Sequence, residues 1–182
     1  MQKSKGFVSA VMLVVSMAVV ACASTRTTKS AGEQVDDSVT TGRVKAALIA
    51  DPTTKAQQMD VETFKGTVQL NGFVDTPASK ERATEVARNT KGVTAVRNNL
   101  TVKSDARTTG GTVDDSAITA KVKAALAGDA RVAAHQVNVE TRDGVVQLSG
   151  FVDSSEAKST AEELARKVDD VRSVDNEIDV KR

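Results

Sequence analysis

The feature that most constrains this chain is an internal repeat with a fixed offset of 78 residues. The segment VDDSVTTGRVKAAL from Val35 recurs as VDDSAITAKVKAAL from Val113, and VETFKGTVQLNGFVD from Val61 recurs as VETRDGVVQLSGFVD from Val139. The segment VTAVRNNLTVK matches VRSVDNEIDVK at the same offset, without any gap. Roughly half of the aligned positions are identical, which indicates two copies of one small domain.

Each copy opens with a segment that has the signals of a helix. Asp36-Asp37-Ser38 and Asp114-Asp115-Ser116 suit a helix N-terminus, where carboxylate and hydroxyl oxygens accept hydrogen bonds from free backbone N–H groups. Ile118, Val122 and Leu126 then recur with a helical period. The sequence therefore predicts a first helix in each repeat, capped by its acidic residues.

The rest of each copy predicts two strands, a second helix and a third strand. Alternating apolar residues surround Lys65-Gly66 and Asp143-Gly144, which are hairpin-turn signals. Pro77 suits the first turn of the second helix. Gly72 and Gly150 predict a bulge or a close backbone approach. The fold class predicted is α+β, a tandem repeat of two small αββαβ domains, each a three-stranded mixed sheet with two helices on one face.

The first 21 residues do not belong to the repeat. Lys3 and Lys5 precede an apolar run from Phe7 to Val20, and small and polar residues follow it. This run is shorter than the roughly 20 residues that a membrane-spanning helix needs. A positive start, a short apolar segment and small residues after it are typical of a secretory signal peptide.

Cys22, the single cysteine of the chain, stands where the apolar run ends. Val19-Val20-Ala21-Cys22 resembles the lipobox of bacterial lipoprotein precursors, in which the cysteine thiol takes a diacylglyceryl group and becomes the first residue of the mature protein. This resemblance implies lipidation of Cys22, and Ala23 after it implies the outer membrane. The alternative interpretation is Ala21-Cys22-Ala23 as a small-x-small cleavage pattern, which suits release of a soluble protein into the periplasm.

These observations divide the chain into five segments. Each repeat has about 70 residues, close to the lower limit at which a domain buries enough apolar surface to fold alone. The stretch SDARTTGGT has no apolar periodicity, so it is predicted to be flexible. The segments are a signal peptide (1–21), a lipidated N-terminus and tether (22–34), domain one (35–103), a linker (104–112) and domain two (113–182).

Composition excludes several classes of function. The net charge of +1 gives no overall attraction to nucleic acid, and the absence of Trp and Tyr leaves few side chains on which bases could stack. One cysteine and one histidine cannot form a disulfide framework or a four-ligand zinc site. No nucleophile, base and acid set is recognisable. The sequence therefore predicts a protein that is not an enzyme and has no cofactor, metal or nucleic-acid partner.

Two motifs carry a resemblance to a known family. GTVQLNGFV from Gly66 and GVVQLSGFV from Gly144 share the pattern G-x-V-x-L-x-G-x-V. VTAVRNNLTV and VRSVDNEIDV share V-x-x-V-x-N-x-hydrophobic-x-V. With the order of elements, they resemble the BON domain (bacterial OsmY and nodulation). The opening motif D-x-x-I-T-x-x-V-K-x-A-L is intact in the second copy, whereas Thr40 replaces its Ile in the first.

This resemblance implies a role in the bacterial envelope. Proteins with two BON domains are secreted or lipid-anchored periplasmic proteins of Gram-negative bacteria, linked to osmotic stress, outer-membrane integrity and phospholipid binding. The expected localisation is the periplasmic face of the outer membrane, or the soluble periplasm in the alternative interpretation. The expected partners are the membrane, including anionic phospholipid, and other envelope proteins. The motif residues are mostly turn and core positions, so they indicate the fold and not a binding site.

Contact with anionic lipid requires a basic surface. Domain one has 10 Lys/Arg and 8 Asp/Glu, whereas domain two has 10 Lys/Arg and 14 Asp/Glu and is acidic as a whole. The local exceptions are the first helix of domain two and the second helix of domain one, although each could also be an ordinary solvated face. The predicted phospholipid contacts are Lys121, Lys123, Arg131, Lys80, Arg82 and Arg88.

Three other polar features have structural interpretations. His135 precedes a strand and is predicted to lie in a surface loop. Asn98 and Asn176 recur within an apolar strand pattern and are predicted to be buried amides that bind irregular backbone. A second function also fits the sequence: an osmotically induced interaction module or holdase that binds client proteins along its edge strands, with no dependence on lipid.

Overall fold

Both repeats form the predicted αββαβ domain. The computed structural model describes residues 31–54, 56, 59–103 and 114–181. Domain one contains α1 (Ala31–Ala50), β1 (Met59–Phe64), β2 (Thr67–Val74), α2 (Pro77–Arg88), β3 (Ala95–Asn98) and β4 (Thr101–Val102). Domain two contains α3 (Asp115–Ala127), β5 (Val137–Arg142), β6 (Val145–Val152), α4 (Ser155–Arg166) and β7 (Ser173–Val180).

Each domain has a mixed sheet with its hairpin strand in the centre. β2 pairs antiparallel with β1 and parallel with β3 and β4, and β6 pairs antiparallel with β5 and parallel with β7. The antiparallel pairs are joined by two-residue turns, whereas the parallel strand returns after a helix, as parallel pairing requires. Lys65 and Gly66 have φ values of 49° and 74°, and Asp143 and Gly144 have 51° and 75°. Two positive φ values identify the type I′ turn that fits the strand twist.

An aliphatic core lies between each sheet and its two helices. Val68, Leu70 and Val74 of β2 point to the helices and are at most 4% exposed. Alternation of side chains along a strand places the intervening residues on the opposite face of the sheet. The equivalent residues of β6 pack in the same way. The prediction of two helices on one face of a mixed sheet is confirmed in both domains. Domain two has the three predicted strands, whereas the third strand of domain one is divided into β3 and β4.

The first helices begin differently. α3 has Asp114 as its N-cap residue, and its Oδ1 accepts hydrogen bonds from the backbone N–H groups of Ser116 and Ala117, as predicted. α1 starts at Ala31, so Asp36 lies inside the helix and the capping prediction for domain one is wrong. The segment before Asp36, AGEQV, includes the good helix formers Ala, Glu and Gln, whereas Gly110-Gly111 lie upstream of α3.

The second aspartate of each opening pair binds the hairpin turn of its own domain. Asp37 accepts hydrogen bonds from the N–H groups of Lys65 and Gly66 at 2.7 and 2.9 Å. Asp115 binds the N–H groups of Asp143 and Gly144 at 2.8 and 2.9 Å. These carboxylates therefore join the first helix to the β-hairpin, a role that the capping interpretation did not include.

The recurring asparagines join the last strand to the second helix. Asn98 Nδ2 donates to the carbonyl of Lys80 at 2.7 Å and its Oδ1 accepts from the N–H of Leu100 at 3.0 Å. Asn176 Nδ2 donates to the carbonyl of Lys158 at 3.1 Å. The prediction that these amides bind backbone is confirmed, whereas both side chains are only partly buried and the carbonyls that they contact belong to regular helices.

Gly150 marks a close backbone approach and not a bulge. The β5–β6 register is continuous through the pair Val137 and Gly150. The φ of Gly150 is 121°, and a Cβ at this position would lie 2.1 Å from the carbonyl oxygen of Gln136. Both observations require glycine here.

Candidate functional site

Lys121 and Lys123 lie on the exposed side of α3. The helical period places them on either side of a row of exposed alanines, opposite the buried face of the helix. Lys121 Nζ is 3.6 Å from Asp170 Oδ2, whereas Lys123 has no carboxylate within 4 Å in the described part of the chain. The row consists of Ala117, Ala120, Ala124 and Ala127. α3 therefore presents a small apolar strip with a cation on each side.

Arg131 is held by its own loop. Its guanidinium contacts both carboxylate oxygens of Asp129, at 3.0 and 2.7 Å, and its backbone N–H donates to the same side chain at 2.9 Å. These hydrogen bonds lower the pKa of Asp129 to about 2. The positive charge of Arg131 is thus largely compensated, which weakens it as a contact for an anionic lipid.

The candidate residues on α2 also differ in whether a carboxylate pairs with them. Arg82 Nε is 2.7 Å from Asp51 Oδ2, and its Nη1 is 2.6 Å from Glu85 Oε2. Lys80 is half-buried, whereas Arg88 is exposed at the end of the helix. These three residues lie on α2 of domain one, whereas Lys121, Lys123 and Arg131 lie on or just after α3 of domain two, so the predicted contacts are divided between the two domains.

The two domains meet through a pair of equivalent glutamines. Gln69 of β2 and Gln147 of β6 are related by the repeat offset and are 0% and 1% exposed. Gln69 Oε1 accepts the N–H of Gly150 at 3.1 Å, and Gln147 Oε1 accepts the N–H of Gly72 at 2.5 Å. The two glycines are also related by the offset, so the two contacts are reciprocal.

The other amide atoms of the glutamines repeat this symmetry. Gln147 Nε2 donates to the carbonyl of Asn99 at 2.8 Å, and Gln69 Nε2 lies 3.4 Å from the carbonyl of Glu177, the equivalent residue. Gln69 Nε2 also donates to Asp179 Oδ2 at 2.5 Å. Gln69 and Gln147 point away from the helices, so the sheets face each other and the described helices α1, α2, α3 and α4 lie outside them.

Aromatic side chains complete the domain junction. Phe64 of domain one stacks on Phe151 of domain two, with ring centroids 5.3 Å apart. The ammonium groups of Lys65 and Lys181 lie 5.5 and 5.9 Å from the centroid of Phe64, within the range of cation–π attraction. Two clefts, of about 530 and 390 Å³, are lined in part by this Phe pair and Lys181. The junction is thus a surface feature to which both domains contribute.

Sequence reasoning missed a feature of α1. Val35, Val39 and Ile49 are 63%, 44% and 75% exposed, and they are the exposed large hydrophobic residues in the described part of the chain. All three belong to one helix. Their spacing of four and ten residues, opposite the core positions Val44 and Leu48, is a signal that a helical projection of the first repeat would have found.

The remaining predictions concern His135, metal binding, membrane-spanning helices and the segments outside the described residues. His135 is exposed on a short 3₁₀ turn, Ala134–Gln136, as predicted. No group of three or more His, Cys, Asp or Glu side chains among the described residues could hold a metal ion. No described helix is both long and apolar enough to cross a membrane. Cys22, the predicted signal peptide and the predicted linker lie outside the described residues.

Comparison with known proteins finds both repeats and several relatives. The sequence model of the BON domain matches residues 36–104 and 114–182. The chain is 43% identical over 152 residues to osmotically-inducible protein Y of Escherichia coli (strain K12), which covers 82% of this chain and 75% of that protein. It is 33% identical over 147 residues to outer membrane lipoprotein DolP of Haemophilus influenzae, covering 80% of this chain and 75% of the relative.

Two further similarities concern a hemolysin and a solved structure. The chain is 34% identical over 148 residues to a 21 kDa hemolysin of Actinobacillus pleuropneumoniae, covering 80% and 75% of the two chains. A solved structure of CdsD, a structural protein of the type III secretion system of Chlamydia trachomatis, aligns with a TM-score of 0.32 and 15% identity. That alignment covers 79% of this chain and 63% of CdsD. Because the family match spans both repeats and the identity to curated relatives exceeds 30% over most of the chain, this chain belongs to the BON domain family.

Proposed function

We propose that this chain is a non-enzymatic envelope protein, anchored in the outer membrane through lipidated Cys22, whose BON domains contact anionic phospholipid and help to maintain the membrane under osmotic stress. The names of two relatives support this proposal, since one is osmotically inducible and the other is an outer membrane lipoprotein. The structural observation that carries the lipid contact is the exposed face of α3, where Lys121 and Lys123 flank the alanine row.

The domain packing supports this assignment. The sheets cover each other through Gln69 and Gln147, so the outer surfaces of the protein are helical. A helix that presents lysines to an anionic bilayer gains about 1 kcal/mol for each cation near the charged surface. α3 is available for such a contact because its exposed side takes no part in the packing between the domains.

Flotation with vesicles tests the lipid contact. The full mature chain carrying Cys22→Ser is mixed with phosphatidylglycerol vesicles or with phosphatidylcholine vesicles at low salt. We expect the parent protein to bind the anionic vesicles and to lose part of this binding as the salt concentration is raised. Lys121→Glu/Lys123→Glu should bind the anionic vesicles more weakly than the parent protein at low salt. Absence of any binding by the parent protein to anionic vesicles would overturn the proposal. Lipid-independent suppression of client aggregation would instead support the interaction-module alternative.

Mass spectrometry of the mature protein tests the anchor separately. The expected N-terminal residue is Cys22 carrying acyl chains, because stable attachment requires more than one chain. An unmodified N-terminus beyond Cys22 would place the protein in the soluble periplasm. This measurement is independent of the vesicle experiment, since one concerns the anchor and the other concerns the folded domains.

A further inference from the structure

The exposed large hydrophobic residues lie along one side of α1. Val35, Val39 and Ile49 share this side with Gly42 and Ala46, both exposed. At 100° per residue these five positions fall within an arc of about 80°. We refer to them together as the α1 stripe. Surface hydrophobic residues scattered singly need no explanation, whereas a continuous row of them on one element indicates an interaction site.

The α1 stripe is opposite the side of α1 that packs in the core. Asp37, Thr40, Val44 and Leu48 are at most 5% exposed and face the sheet and α2. α1 therefore has a buried side and, opposite it, an apolar stripe at the surface. One side is explained by the core of domain one, and the other contacts no described residue that buries it.

Cations border the α1 stripe on both sides. The helical period places Arg43 on one side of the stripe and Lys45 on the other. Arg43 is exposed and has no carboxylate within 4 Å among the residues that the structure describes, whereas Lys45 Nζ lies 3.3 Å from Asp60 Oδ1 and is 46% exposed. Asp36, which follows Val35 in α1, is an exposed acid. An apolar stripe between cations is the pattern of a helix that lies in the plane of a membrane interface.

The surface beside the α1 stripe is also more basic than its equivalent in domain two. A depression of about 450 Å³ next to α1 is lined by Arg43, Lys65 and Lys91 together with Asp36 and Asp37. The repeat offset replaces Lys65 by Asp143, Lys91 by Asp169 and Gly92 by Asp170.

The equivalent positions on α3 lack the large apolar residues. Alanine stands at 117, 120, 124 and 127, where α1 has Val39, Gly42, Ala46 and Ile49. Lys121, the equivalent of Arg43, lies 3.6 Å from Asp170. Large apolar side chains that could enter a lipid layer are thus present on α1, whereas α3 has only alanines between its bordering cations.

The position of α1 in the chain selects a bilayer as its occupant. Eight residues separate Cys22 from the start of α1 at Ala31. Even fully extended, this segment reaches at most about 30 Å. An acylated Cys22 would hold α1 within that distance of the lipid surface, so the stripe would meet the membrane at a high effective concentration.

We propose that the α1 stripe inserts its apolar side chains into the interfacial region of an anionic phospholipid bilayer, as a contact separate from the electrostatic one of α3. The proposal rests on the proposed function, since it assumes that the chain contacts phospholipid. It adds that domain one makes a contact that salt does not screen, because burial of apolar area does not depend on ionic strength.

A tryptophan reporter tests the insertion directly, because the chain contains no Trp or Tyr. Ile49→Trp and the matched control Ala127→Trp are made in the full mature chain with Cys22→Ser. On addition of phosphatidylglycerol vesicles we expect a blue shift of emission and protection from an aqueous quencher for Ile49→Trp only. Equal shifts at both positions, or a shift confined to Ala127→Trp, would overturn the proposal.

The second readout is the binding to anionic vesicles that remains at high salt. Val39→Gln/Ile49→Gln should reduce the binding to vesicles that persists at high salt by about tenfold, since each change removes exposed apolar area. The matched variant Ala117→Gln/Ala127→Gln should retain it. These positions are exposed, so thermal unfolding should be unchanged in both variants.

The outcomes separate this proposal from the proposed function. If the parent protein binds anionic vesicles only at low salt, the proposed function stands and the insertion of α1 is refuted. If it binds no vesicles, both fail. If sedimentation shows that the parent is a dimer and that Val39→Gln/Ile49→Gln is a monomer, the stripe is covered by a second copy of the chain and the lipid proposal is overturned.

Discussion

The two first helices, α1 and α3, derive from the same repeated segment and yet have different surroundings. α1 is 20 residues long and runs through its acidic pair, whereas α3 has 13 residues and starts at that pair. α1 has exposed valine and isoleucine where α3 has alanine. The core positions of the repeat are similar, so the difference lies in the outward positions. Two copies of one fold can therefore conserve packing while their solvent-facing sides serve different contacts.

The largest expected effect concerns the equivalent glycines of the two domains, Gly72 and Gly150. Gly150→Ala should destabilise the protein by about 4 kcal/mol, because the new Cβ would overlap the Gln136 carbonyl and the residue would keep a positive φ. Gly72 has a φ of 110°, so Gly72→Ala should also be destabilising. Equilibrium urea denaturation followed by far-UV circular dichroism measures both. An unchanged midpoint for Gly150→Ala would contradict the close backbone approach.

The next prediction tests whether the two glutamines of the domain junction contribute equally to stability. Gln147→Ala should cost about 2 kcal/mol, because it leaves the N–H of Gly72 and the carbonyl of Asn99 without their buried partners. Gln69→Ala should cost a similar amount through Gly150 and Asp179. Urea denaturation of each variant should also show the two domains unfolding less cooperatively. A large effect of one substitution and none of the other would show that the junction is not reciprocal.

A smaller effect separates the two helix starts. Asp114→Ala should cost about 1 kcal/mol, because the N-cap of α3 loses its two side-chain hydrogen bonds. Asp36→Ala should change stability little, since Asp36 is an exposed residue within α1. Thermal unfolding of the pair is the measurement. Equal losses in the two variants would indicate that α1 also begins at its acidic pair.

The smallest effect concerns the equivalent aspartates Asp51 and Asp129. Arg82, which lies on α2, donates a hydrogen bond to Asp51 and lowers its pKa. Arg131, which lies in the same loop as Asp129, donates hydrogen bonds to Asp129 and lowers its pKa to about 2. A carboxyl whose pKa is lowered by folding stabilises the folded state at pH values above its pKa in the unfolded chain, about 3.9. This contribution is lost as the pH falls through the folded-state pKa. Carboxyl titration by NMR should show that Arg131→Gln raises the pKa of Asp129 only, and that Arg82→Gln raises that of Asp51 only.

Much of the fold followed from local patterns. The two positive-φ hairpin turns, the start of α2 at Pro77, the N-cap at Asp114 and the aliphatic core depend on residues close in sequence or on simple periodicity. The break of the last strand into β3 and β4 did not follow, since the apolar alternation continues through it. The Asn99 carbonyl at that break accepts a hydrogen bond from Gln147 of the other domain, a contact that no local pattern encodes.

The candidate site was predictable to a smaller extent. The lysines of α3 were found because they are clustered in sequence. The pairing of Arg82 with Asp51 depends on tertiary geometry, and the pairing of Arg131 with Asp129, two residues away, depends on the conformation of their loop. The α1 stripe was overlooked because its members are apolar and three or four residues apart, which in a small domain first indicates a core.

The repeat, the order of elements, the inward-facing residues and the resemblance to the BON family can be read from the sequence alone, because they depend on periodicity and turn chemistry within each copy. The burial of Gln69 and Gln147 and the exposure of Val35, Val39 and Ile49 became known from the three-dimensional structure. Burial depends on what packs against a residue, which includes segments far away in the chain. A polar side chain on the outer face of a sheet is solvated in an isolated domain and is covered only when a second sheet lies against it.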